Sequence, residues 1–102
     1  MPYFAVRYEV IDDYVAQRAA HREQHLRLAK AATERGELLF GGAFDEPVDG
    51  ALLIFQAPDS SVPEDFARND PYVTSGLVTR WEVRPWKVVT GKYFDEADGQ
   101  AS

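Results

Sequence analysis

Two stretches of strict alternation bracket this chain and limit what can lie between them. From Phe4 to Val10 every second residue is large and apolar (Phe4, Val6, Tyr8, Val10), while Ala5, Arg7 and Glu9 take the other side, the period of a half-buried strand. The same period returns from Leu77 to Pro85, with Leu77, Thr79, Trp81 and Val83 on one side and Val78, Arg80, Glu82 and Arg84 on the other, and Trp86 to Val89 extend it. After the first strand, Asp12-Asp13 offers a capping residue and a negative start, and nothing breaks a helix before Gly36, a natural residue just past its end. The reading is one continuous helix reaching Arg35, about six turns long.

Glu37 to Phe44 reads as a second strand running into Gly41-Gly42, and Ala51 to Phe55 as a third, apolar on both faces. Asp45 to Gly50 is the hairpin loop between them. Ser61-Val62-Pro63-Glu64 has the spacing of a capping box with proline in the first turn, which starts a second helix of about two turns that ends before Pro71. Asp70-Pro71 restarts a single turn that Gly76 closes. The order is β-α-β-β-α-β, and with right-handed crossovers it predicts an α+β domain: a four-stranded antiparallel sheet with the helices on one face. The second face carries aromatics and β-branched residues, and a homodimer stacking two such sheets would cover it.

Composition narrows the function. The chain has 102 residues, 45% of them hydrophobic and 27% charged, which fits one soluble domain and excludes disorder and repeats. We read residues 1–90 as that domain and 91–102 as an acidic, flexible tail. The net charge of -6, with 17 acidic against 11 basic residues and no basic run, argues against nucleic acid as a partner. With no cysteine there is no disulfide, thiolate nucleophile or zinc-thiolate site. The longest apolar run, Ala51 to Phe55, is far below the ~20 residues of a membrane span, and Met1-Pro2-Tyr3-Phe4 lacks the basic start of a signal peptide. The expectation is a cytoplasmic protein without membrane contact.

The first helix is polar where it should be apolar. With His25 at the origin of a helical wheel, Ala32 falls at about -20°, Ala29 at about +40° and Leu28 at about -60°, so His25 lies inside the apolar arc. Arg18, His21 and Arg22 fall within about 60° of it, and together they suggest a polar cleft between helix and sheet. Taken singly, each has a plainer reading: arginines that snorkel past a helix end, and histidines satisfied in a wet interface. Glu23, Arg27, Lys30 and Glu34 form the ordinary solvated side.

His21 and His25 have the i, i+4 spacing of a metal-binding helix, but Arg22 stands where a zinc-peptidase helix carries its glutamate and would repel a cation, so we assign no metal. Asp70 has two readings. One is an N-cap for the turn Pro71 to Ser75; the other is a carboxylate that orients an imidazole and fits it for acid/base work near neutral pH. Gly41-Gly42 lacks the further glycines and helix start of a phosphate loop or dinucleotide fingerprint, and no serine-nucleophile motif is present. Proton transfer on a small molecule, without a cofactor, is the chemistry for which the residues exist.

At this point the chain resembles the YciI-like, or YCII-related, proteins from about Tyr3 to Val89. The matching segments are Arg22-Glu23-Gln24-His25-Leu26, Gly36-Glu37-Leu38-Leu39 with Gly42, and most distinctively Asn69-Asp70-Pro71-Tyr72-Val73-Thr74-Ser75-Gly76-Leu77-Val78 followed by Glu82-Val83-Arg84-Pro85-Trp86. The resemblance implies a ferredoxin-like fold that dimerises sheet to sheet into an α/β barrel. It also implies a pocket holding a helix histidine and the aspartate of the D-P-Y segment, here His25 and Asp70. Its implied chemistry is of lyase (dehydrochlorinase) or isomerase type on a small ring compound. His25 would move the proton, Asp70 would hold the imidazole, Arg22 and Tyr72 would position substrate oxygens, and Gly42 would border the pocket; His21 is not part of the motif and joins the candidate binding residues by its place on the wheel alone. The alternative is a module that binds a small ligand without transforming it.

Overall fold

In a computed structural model, residues 1–94 are described. Strand β1 (Tyr3–Val10) is followed by the short helix α1 (Tyr14–Gln17), a 3-10 turn (Arg18–Ala20) and helix α2 (Arg22–Glu34). Strands β2 (Leu38–Ala43) and β3 (Gly50–Gln56), helices α3 (Ser61–Asn69) and α4 (Pro71–Thr74), and strand β4 (Val78–Trp86) complete the order. The four strands form one antiparallel sheet in the order β2-β3-β1-β4, as the predicted crossovers require.

Register sorts the side chains by face. Val6 pairs with Leu53 and Val83, and Tyr8 with Ala51 and Trp81, so these residues share the face covered by the helices. Phe4, Val6, Tyr8, Leu53 and Phe55 are buried there beneath Ala32 of α2 and Phe66 of α3. Phe55 meets Phe66 edge-on, with ring centroids 5.2 Å apart. The other face carries Tyr3, Phe40, Leu52, Ile54 and Trp86, and Phe40 (64%) and Trp86 (48%) are the most exposed of them. Over part of this face the chain turns back after β4 and brings Phe94 within 6.3 Å of Tyr3, centroid to centroid. The rest of the expected acidic tail, residues 95–102, lies outside the described residues.

Three local expectations are corrected. The single helix from Asp13 to Arg35 is broken: His21 N–H donates to the Arg18 carbonyl at 2.9 Å, a tight i to i-3 bond, and His21, at φ -117° and ψ -3°, is a turn residue between the 3-10 turn and α2. No proline or glycine lies in the segment, so tertiary packing sets the break. Tyr14 is drawn edge-on to Tyr72, and α2 lies on the sheet through Ala32. Asp13 stands before α1 but makes no backbone cap and accepts instead from the Gln17 side chain. Ser61 is the first residue of α3 rather than its cap, because Asp59 reaches it first and accepts from both its N–H and its hydroxyl. That contact holds the Asp59 carboxyl below its ordinary pKa. Gly36 ends α2 at φ +78°, as read from the sequence.

Candidate active site

Asp70 stands between α3 and α4 in extended geometry (φ -67°, ψ 123°), and Pro71 opens the next turn. Its Oδ1 accepts the Tyr72 N–H at 3.0 Å, which is the capping role. The same oxygen lies 2.8 Å from Nδ1 of His25 on α2, so the carboxylate that caps the turn also touches the imidazole. Oδ2 accepts a 2.7 Å hydrogen bond from the Tyr8 hydroxyl on β1. Asp70 is fully buried, and a buried carboxylate persists when its oxygens are filled by donors.

Donor bookkeeping fixes the imidazole. Tyr8 is buried beside Asp70; burial first, then the carboxylate's charge and its hydrogen bond, push the phenol pKa far above its ordinary value, so the O–H is a donor. The Tyr72 amide can only donate. With both oxygens of Asp70 acting as acceptors, Nδ1 carries a hydrogen, and in the neutral ring the lone pair is on Nε2. The His25 side chain keeps 16% exposure and its ring lies flat on Tyr72, with centroids 4.0 Å apart and planes 12° apart. Tyr72 in turn meets Tyr14 edge-on at 5.6 Å, and the Arg18 guanidinium sits 5.4 Å over the Tyr14 ring. Burial raises the Tyr14 pKa, and nearby Arg18 works against that shift.

This stack forms one wall of a cavity of about 480 Å³ between α2, the α1 region and the edge strand β2. Tyr8, Arg18, Arg22, His25, Lys30 and Tyr72 line it on the polar side, and Leu38, Leu53 and the glycine pair on the apolar side. Among the described residues no aspartate or glutamate is in the lining, although the chain is acidic as a whole. Among the described residues, Arg18, Arg22 and Lys30 have no carboxylate in ion-pair range. Such a cavity favours an anion.

Of the residues singled out in the sequence, His25, Arg22, Tyr72 and Gly42 line this cavity and Asp70 lies beneath it. His21 does not line it, because the helix break turns it into the junction, where its carbonyl accepts the His25 N–H at 3.0 Å. Among the described residues no three histidine, cysteine, aspartate or glutamate side chains gather as metal ligands. Sequence reasoning missed Tyr8 and Tyr14, and it left Arg18 without a role. It also chose between the two glycines without the register: Gly41 pairs with buried Leu53 and faces the cavity, whereas Gly42 pairs with Leu52 and borders the cavity through its backbone.

An uncharacterized protein of Haemophilus influenzae is 30% identical over 96 residues, covering 85% of this chain and 98% of its own. Among solved structures, 5-chloro-2-hydroxyhydroquinone dehydrochlorinase from Burkholderia phenoliruptrix, in complex with 2,5-dihydroxybenzoquinone, shares the fold at a TM-score of 0.71. It is 23% identical, and the match covers 91% of this chain and 99% of that one. A protein from Agrobacterium tumefaciens matches at a TM-score of 0.56 and 14% identity, over 91% and 96% of the two chains. The model of the YCII-related domain matches residues 1–87, and the chain therefore belongs to the YCII-related family.

Proposed function

We propose that this protein is a cofactor-independent acid/base enzyme, of lyase (dehydrochlorinase) or isomerase type, acting on a small ring compound with phenolic or anionic oxygens. The observation that carries the reading is the 2.8 Å contact between His25 Nδ1 and the buried Asp70 carboxylate at the wall of a cation-lined cavity. Asp70 fixes the tautomer, and Nε2 is the base. In an elimination, Nε2 takes the proton of a substrate O–H or C–H bond. The electron pair left behind builds the new π bond, and chloride departs with the pair of the broken C–Cl bond. In an isomerisation the same nitrogen returns the proton to a different atom. Arg22 and the Tyr72 edge of the cavity hold the substrate's oxygens, where negative charge builds up.

The shared fold with a dehydrochlorinase supports starting the search with its kind of substrate. Chloride release from 5-chloro-2-hydroxyhydroquinone is measured for wild type, His25→Ala and Asp70→Asn, with circular dichroism as the folding control. Wild-type turnover above buffer, lost in both variants, is expected. Folded variants that retain full turnover sink the pair as catalytic machinery. Recovery of bound compounds unchanged after long incubation favours a binding module.

We also propose that two copies pack through the open sheet face. The exposed side chains of Phe40, Leu52 and Trp86 on that face support it.

A further inference from the structure

One polar atom in the site is left without a partner among the described residues. The Tyr72 hydroxyl is buried and makes no hydrogen bond to any of them, although the rest of its residue is tightly held: its amide caps on Asp70 and its ring is stacked on His25. Burying a hydroxyl unpaired costs on the order of 1–3 kcal/mol, and Tyr72 is a lining residue of the cavity, so a ligand acceptor to which the wall opens would satisfy this donor.

A second observation lies in the same wall. Arg18 has no carboxylate partner among the described residues, yet it is not a free surface arginine, since Tyr14 holds its guanidinium from below and Tyr14 abuts Tyr72. A guanidinium fixed over a ring loses less freedom on meeting an anion than a mobile one does, and its planar fork matches the two oxygens of a carboxylate. Arg22, the residue favoured by the sequence, is exposed, and among the described residues no aromatic ring holds it.

We infer that Arg18 and the Tyr72 hydroxyl form a carboxylate-binding subsite beside His25, so that the ligand is a ring compound bearing a carboxylate as well as its reacting oxygen. This rests on the reading of the cavity as the ligand site and names the substrate class for it. Arg18 is the specificity residue, and Tyr14 positions it.

The test is a matched pair of probes, 2,5-dihydroxybenzoate and its methyl ester, which share a ring and hydroxyls and differ in the charge. Their dissociation constants are measured by NMR titration against wild type, Arg18→Met, Arg18→Lys, Tyr72→Phe and Arg22→Met. Wild type is expected to prefer the acid by about tenfold or more, the gain of a charge-assisted contact. Arg18→Met should erase that preference without weakening the ester, Arg18→Lys should restore part of it, and Tyr72→Phe should reduce it. Arg22→Met should leave most of it in place. The subsite is overturned if wild type binds neither probe, binds both alike, or if Arg18→Met keeps the preference. The ester tells the two readings apart: an Arg18→Met variant that binds the ester as wild type does and has lost the acid preference has lost carboxylate recognition alone, whereas a wild type that binds neither probe removes the cavity as the ligand site.

Discussion

The Tyr8 hydroxyl donates a 2.7 Å hydrogen bond to Oδ2 of Asp70 across 62 positions of sequence, tying the first strand to the turn that carries the carboxylate. With the Tyr72 amide and the His25 ring, it completes the donors around a side chain that has no access to water. Removing the carboxylate therefore strands several donors at once. Asp70→Ala should destabilise the protein by about 3–5 kcal/mol, whereas His25→Ala, which empties a partly exposed site, should cost about 1–2 kcal/mol. Urea unfolding of the two variants measures the difference, and equal costs would contradict the arrangement.

Asp70→Asn changes the imidazole more than the fold. The amide keeps an oxygen where the Tyr72 N–H and His25 Nδ1 share Oδ1, but that oxygen is uncharged and a weaker acceptor, and the NH2 group faces Tyr8, which can no longer donate there. The ¹⁵N shifts of His25 should show one tautomer, with hydrogen on Nδ1, in the wild type and a mixture in Asp70→Asn. An unchanged tautomer would mean that the charge of Asp70 does not select it.

Tyr8 makes stability depend on alkaline pH. Its folded pKa lies above the unfolded value of 10.0, because burial and Asp70 disfavour the phenolate. A group raised in this way contributes stability that is complete below pH 10 and is lost as the pH rises, since the unfolded chain ionises first. Between pH 9 and pH 11 this one phenol should remove about 1.4 kcal/mol, and Tyr8→Phe should flatten the profile by that amount. Urea midpoints of wild type and variant at the two pH values give the comparison. Tyr14, also raised, adds to the wild-type slope and remains in the variant.

How far the sequence could reach follows from the same residues. Alternation in β1 assigns Tyr8 to the buried face but says nothing of its hydroxyl, whose partner is brought near only by the folded sheet. His25 was legible because a polar residue inside an apolar arc contradicts the period of the helix around it. Asp70 was legible as a cap from its neighbours in sequence, and as a partner of His25 only through the family's D-P-Y segment. The break at His21 was not legible, because Ala19 and Ala20 favour helix and the forces that bend the chain come from Tyr72, far along the chain. Asp59 and Ser61 compete for one cap within two positions, a contest decided by backbone geometry rather than by residue type.

Register makes a prediction about the glycine pair. A Cβ on Gly41 would meet Leu53 Cδ2 at 3.6 Å, an ordinary contact, so valine fits there and its γ-carbons enter the cavity. A Cβ on Gly42 meets nothing within 4 Å. Gly41→Val should fold with a stability change of about 1 kcal/mol or less and lose most of the affinity that the proposed site gives the wild type for 2,5-dihydroxybenzoate, while Gly42→Ala keeps it. Fluorescence titration of both variants checks this, and equal affinity would place the ligand elsewhere.

The open sheet face yields the last prediction. Leu52 and Trp86 are 38% and 48% exposed in the single chain, and they lie on the side of the sheet away from the helices, so a charge there leaves the chain's own core untouched. On a buried interface the same charge would be costly, because neither copy could solvate it. Sedimentation velocity at micromolar concentration should give a dimer for wild type and a monomer for Leu52→Lys and Trp86→Glu. Melting of the isolated variant chains should remain cooperative. If wild type sediments as a monomer, the sheet-to-sheet pairing is wrong and the exposed aromatics of this face have another partner. If the variants still sediment as dimers, the copies meet through some other surface, of which the unpaired edge strands β2 and β4 are the first to test.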